Sequence, residues 1–81
     1  MPKLKIIGGR DAVQIFNSFN FVVVSQKGSH IKLKRITITG TKQVLTVPDH
    51  KEIDRGTLKG IINQASKYIP LAELQSRFYN I

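Results

Sequence analysis

Two glycine-containing turns constrain the middle of this chain more than any other feature. Residues 21–25 and the segment that begins at His30 are rich in β-branched and apolar residues, and the turn signal 27–29 separates them. A second turn signal, 39–42, leads into a third such run, 44–47. Because short turns join neighbouring antiparallel strands, the sequence predicts a three-stranded antiparallel meander.

The residues within these runs predict which side chains the sheet buries. Residues 21–25 are mostly apolar, so we expect this strand to be buried on at least one face. Apolar and basic residues alternate along the second strand, which places Lys32 and Lys34 together on the opposite face from its apolar side chains. After Arg35 the apolar residues fall on the positions that were basic before it, which predicts a bulge or a bend near Arg35.

Helical periodicity flanks the meander on both sides. Apolar residues after Gly8–Gly9 recur at helical spacing, which predicts a helix of about ten residues that ends before Asn20. A second helix is expected to open at residues 56–57, with Thr57 as its N-cap. Pro70 suits the first position of a short third helix. Its core-facing residues would be Leu71, Leu74 and Phe78.

Together these elements predict an α+β fold in one domain over residues 1–81. A chain of 81 residues supplies enough apolar surface for one core and not for two. Hydrophobic residues make up 41% of the chain, a fraction that excludes disorder. We expect the helices to cover the same face of the sheet, so that the face carrying Lys32 and Lys34 remains open.

The composition also excludes several kinds of site. The chain has no cysteine, so it can form neither a disulfide nor a thiolate zinc site. It has only two histidines and five carboxylates, so we expect no metal and no other cofactor. No segment approaches the roughly 20 apolar residues of a membrane span. We therefore expect a cytoplasmic protein without a membrane partner.

The distribution of charge favours a polyanionic partner. The formal net charge is +8, and no Asp or Glu occurs from Ala12 to Pro48. Clustered cations attract nucleic acid by direct attraction and by release of its condensed counterions. The alternative is a solvated basic surface that only promotes solubility. The cations of this acid-free segment are Lys27, Lys32, Lys34, Arg35 and Lys42.

His30 is the strongest candidate for chemistry in the chain. It follows the turn at 27–29 directly, within the acid-free segment. The imidazole of histidine titrates near neutral pH, so a histidine displayed at a turn can exchange protons with a substrate. The alternative is a surface histidine without a role.

Three sequence blocks, at residues 21–30, 47–53 and 56–62, resemble the HicA (YcfA-like) toxins of bacterial toxin–antitoxin modules. The blocks read FVVVSQKGSH, VPDHKEI and GTLKGII. The resemblance implies an α-β-β-β-α fold like that of double-stranded-RNA-binding domains. It also implies ribosome-independent cleavage of mRNA and inhibition by an antitoxin of the HicB type.

Residue by residue, the resemblance identifies His30 with the catalytic histidine of the family. It places Lys27, Gly28 and Ser29 in the preceding turn, where an ammonium group and backbone amides can bind phosphate. Each has a plainer interpretation, since Lys27 can be merely solvated and Ser29 can satisfy the turn backbone. Lys32 and Lys34 are the further candidates for RNA binding.

Other positions leave alternatives open. His50 is either a second acid, base or substrate-binding group, or a residue whose ring pins the loop before the second helix. Lys51, Arg55 and Lys59 either bind a phosphate near the start of that helix or are solvated. The tail, 71–81, either completes the core or contacts a partner. From another functional class, the chain can instead be a non-catalytic module that binds double-stranded RNA.

Overall fold

The computed structural model describes residues 2–80 of the chain. Its three helices and five strands confirm the α+β fold, and the order of the helices and the meander is as expected. In chain order the elements are β1 (Lys3–Leu4), α1 (Gly9–Asn17), β2 (Val22–Lys27), β3 (His30–Ile36), β4 (Lys42–Pro48), α2 (Arg55–Ala65), α3 (Leu71–Phe78) and β5 (Tyr79–Asn80). Within the described residues, no helix is both long and apolar enough to cross a membrane.

The meander is the central sheet, with strand order β2-β3-β4 and antiparallel pairing throughout. A two-residue turn, Gly28–Ser29, joins β2 to β3, and Lys27 pairs with His30 across it. Gly28 has a φ of 60°, which glycine adopts without steric cost. A glycine at the first central position is typical of the tight turns that match the twist of a hairpin.

The prediction of a bulge near Arg35 is wrong. The pairing of β3 with β4 runs without interruption from His30 to Ile36, and the bulge lies in β2, between Val23 and Ser25. The parity change has another cause: Arg35 points inward at the end of β3, which leaves Ile36 on the outer face with 59% of its surface exposed.

The core lies between the helices and one face of the sheet. From the sheet it takes Ile31 and Leu33 of β3 and Leu45 and Val47 of β4, as the alternation predicts. Both α1 and α2 contact β4. The aromatic centre of this core consists of Phe16, Phe21 and Phe78, all fully buried, with Phe16 in contact with the other two rings.

The expectation that the first strand of the meander is buried on one face is wrong. Phe21 is fully buried, but it precedes β2, and every residue from Val22 to Lys27 is exposed. The reason is the placement of the helices: α1 and α2 both pack against β4, whereas β2, at the other edge of the sheet, packs mainly beside α1. The bulge at Val24 also interrupts the alternation that would turn every second side chain inward.

Two further expectations need correction, and both concern helix ends. The N-cap of α2 is Asp54, whose side chain accepts the backbone N–H of Thr57, so Thr57 is not the cap. In α3, Leu74 and Phe78 are buried as expected, but Leu71 is half exposed because it begins the helix, away from the core.

The first and last strands of the described chain pair in a second small sheet. β1 pairs with β5, so that Leu4 lies opposite Tyr79. The described part of the tail therefore packs against its own domain, with Phe78 buried and Tyr79 half-buried. Ile81, the last residue of the predicted tail, lies outside the described residues.

Arg35 connects the sheet to the ends of two helices. Its guanidinium donates hydrogen bonds to the backbone carbonyl of Phe19, at 2.9 Å, and to that of Tyr68, at 3.0 Å. A third bond, of 2.8 Å, reaches the Gln43 side chain on β4, and the guanidinium carbon lies 4.7 Å from the centre of the Phe21 ring. The two carbonyls follow the C-termini of α1 and α2, where the helix dipoles favour a cation.

We predict that Arg35→Met lowers the free energy of unfolding by about 2 to 3 kcal/mol, because two carbonyls of the partly buried site lose their donors. Arg35→Lys should recover only part of this, since lysine keeps the charge but lacks the planar fork. Urea denaturation measures both variants. The control Arg55→Ala, at an exposed position, should stay within about 0.5 kcal/mol of wild type. Equal stability of Arg35→Met and wild type would contradict the assignment.

Candidate functional site

The open face is the side of the central sheet that points away from the helices. Residues paired directly across an antiparallel sheet project from the same side, and so do alternate residues of one strand. Lys27 pairs with His30, Ser25 with Lys32, and Val22 with Lys34. The register therefore brings four of the predicted site residues together on this face, namely Lys27, His30, Lys32 and Lys34.

His30 lies at the end of the open face beside the turn. It is the first residue of β3, it is exposed, and its neighbours across the two strand pairings are Lys27 and Pro48. The other two predicted residues, Gly28 and Ser29, form the turn itself and are also exposed. An imidazole, an ammonium group and the amides of a tight turn are thus neighbours at one accessible end of the open face.

The open face carries positive charge without a compensating carboxylate. All three strands lie within the segment from Ala12 to Pro48, which contains no Asp or Glu. Lys32 is exposed and Lys34 is half-buried, so both stand along β3 in line with His30. An anion on this face would meet three cationic side chains and no like charge.

The N-termini of α1 and α2 are already occupied by acidic side chains. Asp11 accepts the backbone N–H of Gly8 at 2.9 Å, and Asp54 accepts the Thr57 N–H at 3.0 Å and its hydroxyl at 2.6 Å. The hydrogen bonds from the Thr57 side chain and backbone lower the pKa of Asp54. A carboxylate therefore takes the place where Lys51, Arg55 and Lys59 were candidates to hold a phosphate at the α2 terminus.

His50 lies in the loop after β4, and its backbone rather than its ring fixes that loop. Its carbonyl accepts the N–H of Gly9 at 2.8 Å, whereas within residues 2–80 the ring makes no hydrogen bond. A Cβ at Gly9 would overlap the Pro48 carbonyl, so the close approach of α1 to this loop requires glycine there. His50 lines a cavity beside α1, together with Arg10, Asp11 and Asp49.

Sequence reasoning missed two residues beneath the turn, Gln26 and Asp49. The Gln26 side-chain amide donates to the Gly28 carbonyl and to the Asp49 carboxylate, both at 3.1 Å. The backbone N–H of Asp49 donates to the Ser29 carbonyl at 2.6 Å. These residues are 23 positions apart, and only the strand register, which extends Asp49 past the end of β4, brings them together.

No metal-binding cluster was found among the described residues, that is, no group of three or more His, Asp or Glu side chains in suitable positions.

The fold and the open face define a small basic α+β domain with an exposed histidine and lysines on an uncovered sheet. Comparison with known families gives its identity at family level. The profile described as HicA toxin of bacterial toxin-antitoxin matches residues 9–66, more than half of the chain. The chain therefore belongs to the HicA toxin family and is the toxin component of a toxin–antitoxin system. Searches of curated proteins and of solved structures found no match.

The lowered pKa of Asp54 predicts a stability contribution that depends on pH. Because ionised Asp54 is favoured in the folded state, its contribution is present above its ordinary pKa of 3.8 and is lost as the pH falls through the lower folded-state value. Urea midpoints of wild type and Asp54→Ala should therefore differ at neutral pH and converge in acid.

Glu52→Ala is the control, because it removes a nearby exposed carboxylate that caps no helix. A gap between wild type and Asp54→Ala that is unchanged by acidification would contradict the capping role.

Proposed function

We propose that this toxin is an endoribonuclease that cleaves mRNA without a metal ion, with His30 as its proton-transfer residue. One observation carries the proposal: in a chain of the HicA family, the register pairs His30 with Lys27 beside a tight turn on an acid-free, open sheet face. The residues from 1 to 81 act as one domain, and the site of action is the cytoplasm, where mRNA is found.

The chemistry requires a proton transfer and charge stabilisation. A base takes the proton of the ribose 2′-hydroxyl, or an acid protonates the departing 5′-oxygen, and a histidine can do either near pH 7. Negative charge increases on the phosphoryl oxygens in the transition state, so a neighbouring cation stabilises that state more than the ground state. Lys27 supplies this cation, and the amides of Gly28 and Ser29 are additional donors to the phosphate.

Lys32 and Lys34 bind the RNA backbone next to the scissile phosphate. Alternate residues of a strand project from the same face about 6.6 Å apart, at a rise of about 3.3 Å per residue. His30, Lys32 and Lys34 therefore form a row along β3 that an extended strand of RNA can follow, with one end at His30. This arrangement supports binding of single-stranded mRNA by its phosphates.

The partner we propose is an antitoxin of the HicB type that inhibits the toxin by binding it. A toxin–antitoxin system requires an antitoxin, and a net charge of +8 favours an acidic one.

A double-stranded-RNA-binding module is the second candidate, because the helix and strand order fits that fold. Such a module would bind duplex RNA by its shape and would leave it intact. Modules of this kind use phosphate contacts, but the N-terminus of α2 is capped internally by Asp54. The open face, with its histidine, therefore favours cleavage over passive binding.

We predict that the purified protein cleaves single-stranded RNA in EDTA, and that His30→Ala reduces the cleavage rate by about 10² to 10⁴, the usual contribution of a proton-transfer group. The exposed position of His30 means that the variant should fold and bind RNA as wild type does. Single-turnover assays on a labelled RNA measure the rate, and circular dichroism checks the fold.

His50→Ala is the matched control, since it removes the other histidine, which borders the cavity beside α1, and it should cleave at a rate near that of wild type. A His30→Ala protein that cleaves as fast as wild type would refute the assignment. Intact RNA with every variant, together with selective binding of duplex RNA, would favour the binding module.

The row along β3 predicts a change in the salt dependence of RNA binding. Each lysine that contacts a phosphate contributes about 0.7 to the slope of log K against log salt for single strands. Lys32→Ala and Lys34→Ala, measured with the slowly cleaving His30→Ala variant as the background, should each reduce that slope by about this amount. Lys67→Ala, an exposed lysine after α2, is the control and should leave the slope unchanged. Unaltered slopes in both β3 variants would contradict phosphate binding by this row.

A further inference from the structure

The turn that carries His30 is fixed from its inner side by Gln26 and Asp49. Gln26 pairs with Ile31, a core residue, so its side chain projects from the sheet face opposite to His30. From there its amide nitrogen donates to the Gly28 carbonyl and to the Asp49 carboxylate. The Asp49 backbone N–H donates to the carbonyl of the other turn residue, Ser29. Both carbonyls of the turn thus accept hydrogen bonds on its inner side.

Binding these carbonyls also orients the amides of the turn. The peptide bonds of the described chain are trans, so each N–H points opposite to the carbonyl of its own peptide unit. Because Gln26 binds the Gly28 carbonyl, the Ser29 N–H of the same peptide unit is directed away from the inner side. That amide is one of the proposed donors to the phosphate.

The carboxylate of Asp49 is the fixed part of this arrangement. Only 21% of its side-chain surface is exposed, whereas Arg10, which approaches it at 3.4 Å, is 87% exposed. A solvated ion pair of this length contributes little. The hydrogen bond from Gln26 to Asp49 therefore does more to fix the turn than the ion pair with Arg10. The same Gln26 amide also binds the carbonyl of Gly28, two residues from His30.

We infer that Gln26 and Asp49 are positioning residues: together they hold the Gly28–Ser29 turn so that His30, Lys27 and the Ser29 amide face one phosphate. Neither residue contacts the reacting atoms. The catalytic consequence rests on the proposed function, whereas the fixing of the turn can be measured without RNA. Small misplacements of reacting groups cost much rate, about 10²-fold for a 1 Å error, so a loosened turn should be slow.

The first measurement is amide hydrogen exchange by NMR in the RNA-free protein. Asp49→Ala and Gln26→Ala should each accelerate exchange at His30 and at the backbone N–H of residue 49, which donates to the Ser29 carbonyl, by at least about threefold, because a local opening becomes easier. Exchange within α2 should be unchanged. Unchanged exchange at the turn in both variants would overturn the inference, whether or not the protein cleaves RNA.

The second measurement separates kcat from KM for RNA cleavage. Asp49→Ala and Gln26→Ala should each lower kcat by about 10- to 100-fold. KM should not rise in Asp49→Ala, since loss of a carboxylate makes the surface more attractive to RNA. The double variant should be no slower than the slower single variant, because both substitutions break the same bond. Independent losses that multiply in the double variant would overturn the pairing.

Two control variants complete the test. Asp49→Asn keeps an oxygen that accepts from Gln26, so it should retain kcat within about threefold if the hydrogen bond, not the charge, matters. Arg10→Ala removes the exposed ion pair and should keep both kcat and turn exchange at wild-type values. Loss of kcat in Asp49→Asn as large as in Asp49→Ala would contradict the inference.

If the wild-type protein does not cleave RNA, the proposed function is wrong. The exchange data alone then decide whether Gln26 and Asp49 fix the turn.

Discussion

The register of the β2–β3 hairpin decides which side chains reach the open face, and the rest of the candidate site depends on it. The two-residue turn Gly28–Ser29 pairs Lys27 with His30 and directs both outward. Because side chains alternate along a strand, a slip of one residue would turn His30, Lys32 and Lys34 toward the core. It would also expose Ile31 and Leu33, so burial of these two residues enforces the same register.

Two features keep the open face available for a polyanion. The helices pack on one side of the sheet only, and Arg35 ties the ends of α1 and α2 to that side through the carbonyls of Phe19 and Tyr68. In addition, Asp11 and Asp54 satisfy the N-termini of the helices from within the chain. The open face therefore offers a ligand the cations of Lys27, Lys32 and Lys34, in a segment that contains no carboxylate.

Local patterns were enough to predict the helices, the turns and the alternation of the second strand, because each of these depends on neighbours within a few residues. The exposure of β2 could not be predicted, since it depends on which edge of the sheet the helices cover. The inward position of Arg35 depends on carbonyls 16 and 33 residues away, and polar residues at such positions look like a break in the pattern.

For the candidate site, the sequence identified the residues near the turn. It could not identify Asp49 beneath them, because that contact spans 20 residues or more. The roles of His30, Lys27 and the β3 lysines remain predictions.

The most direct test of the central claim compares the titration of the His30 imidazole, followed by NMR, with the pH dependence of RNA cleavage in EDTA. If His30 transfers the proton, the two curves share an inflection, and this inflection is absent from any residual cleavage by His30→Ala. Cleavage whose pH dependence ignores the His30 titration, or is the same in His30→Ala, would contradict the account.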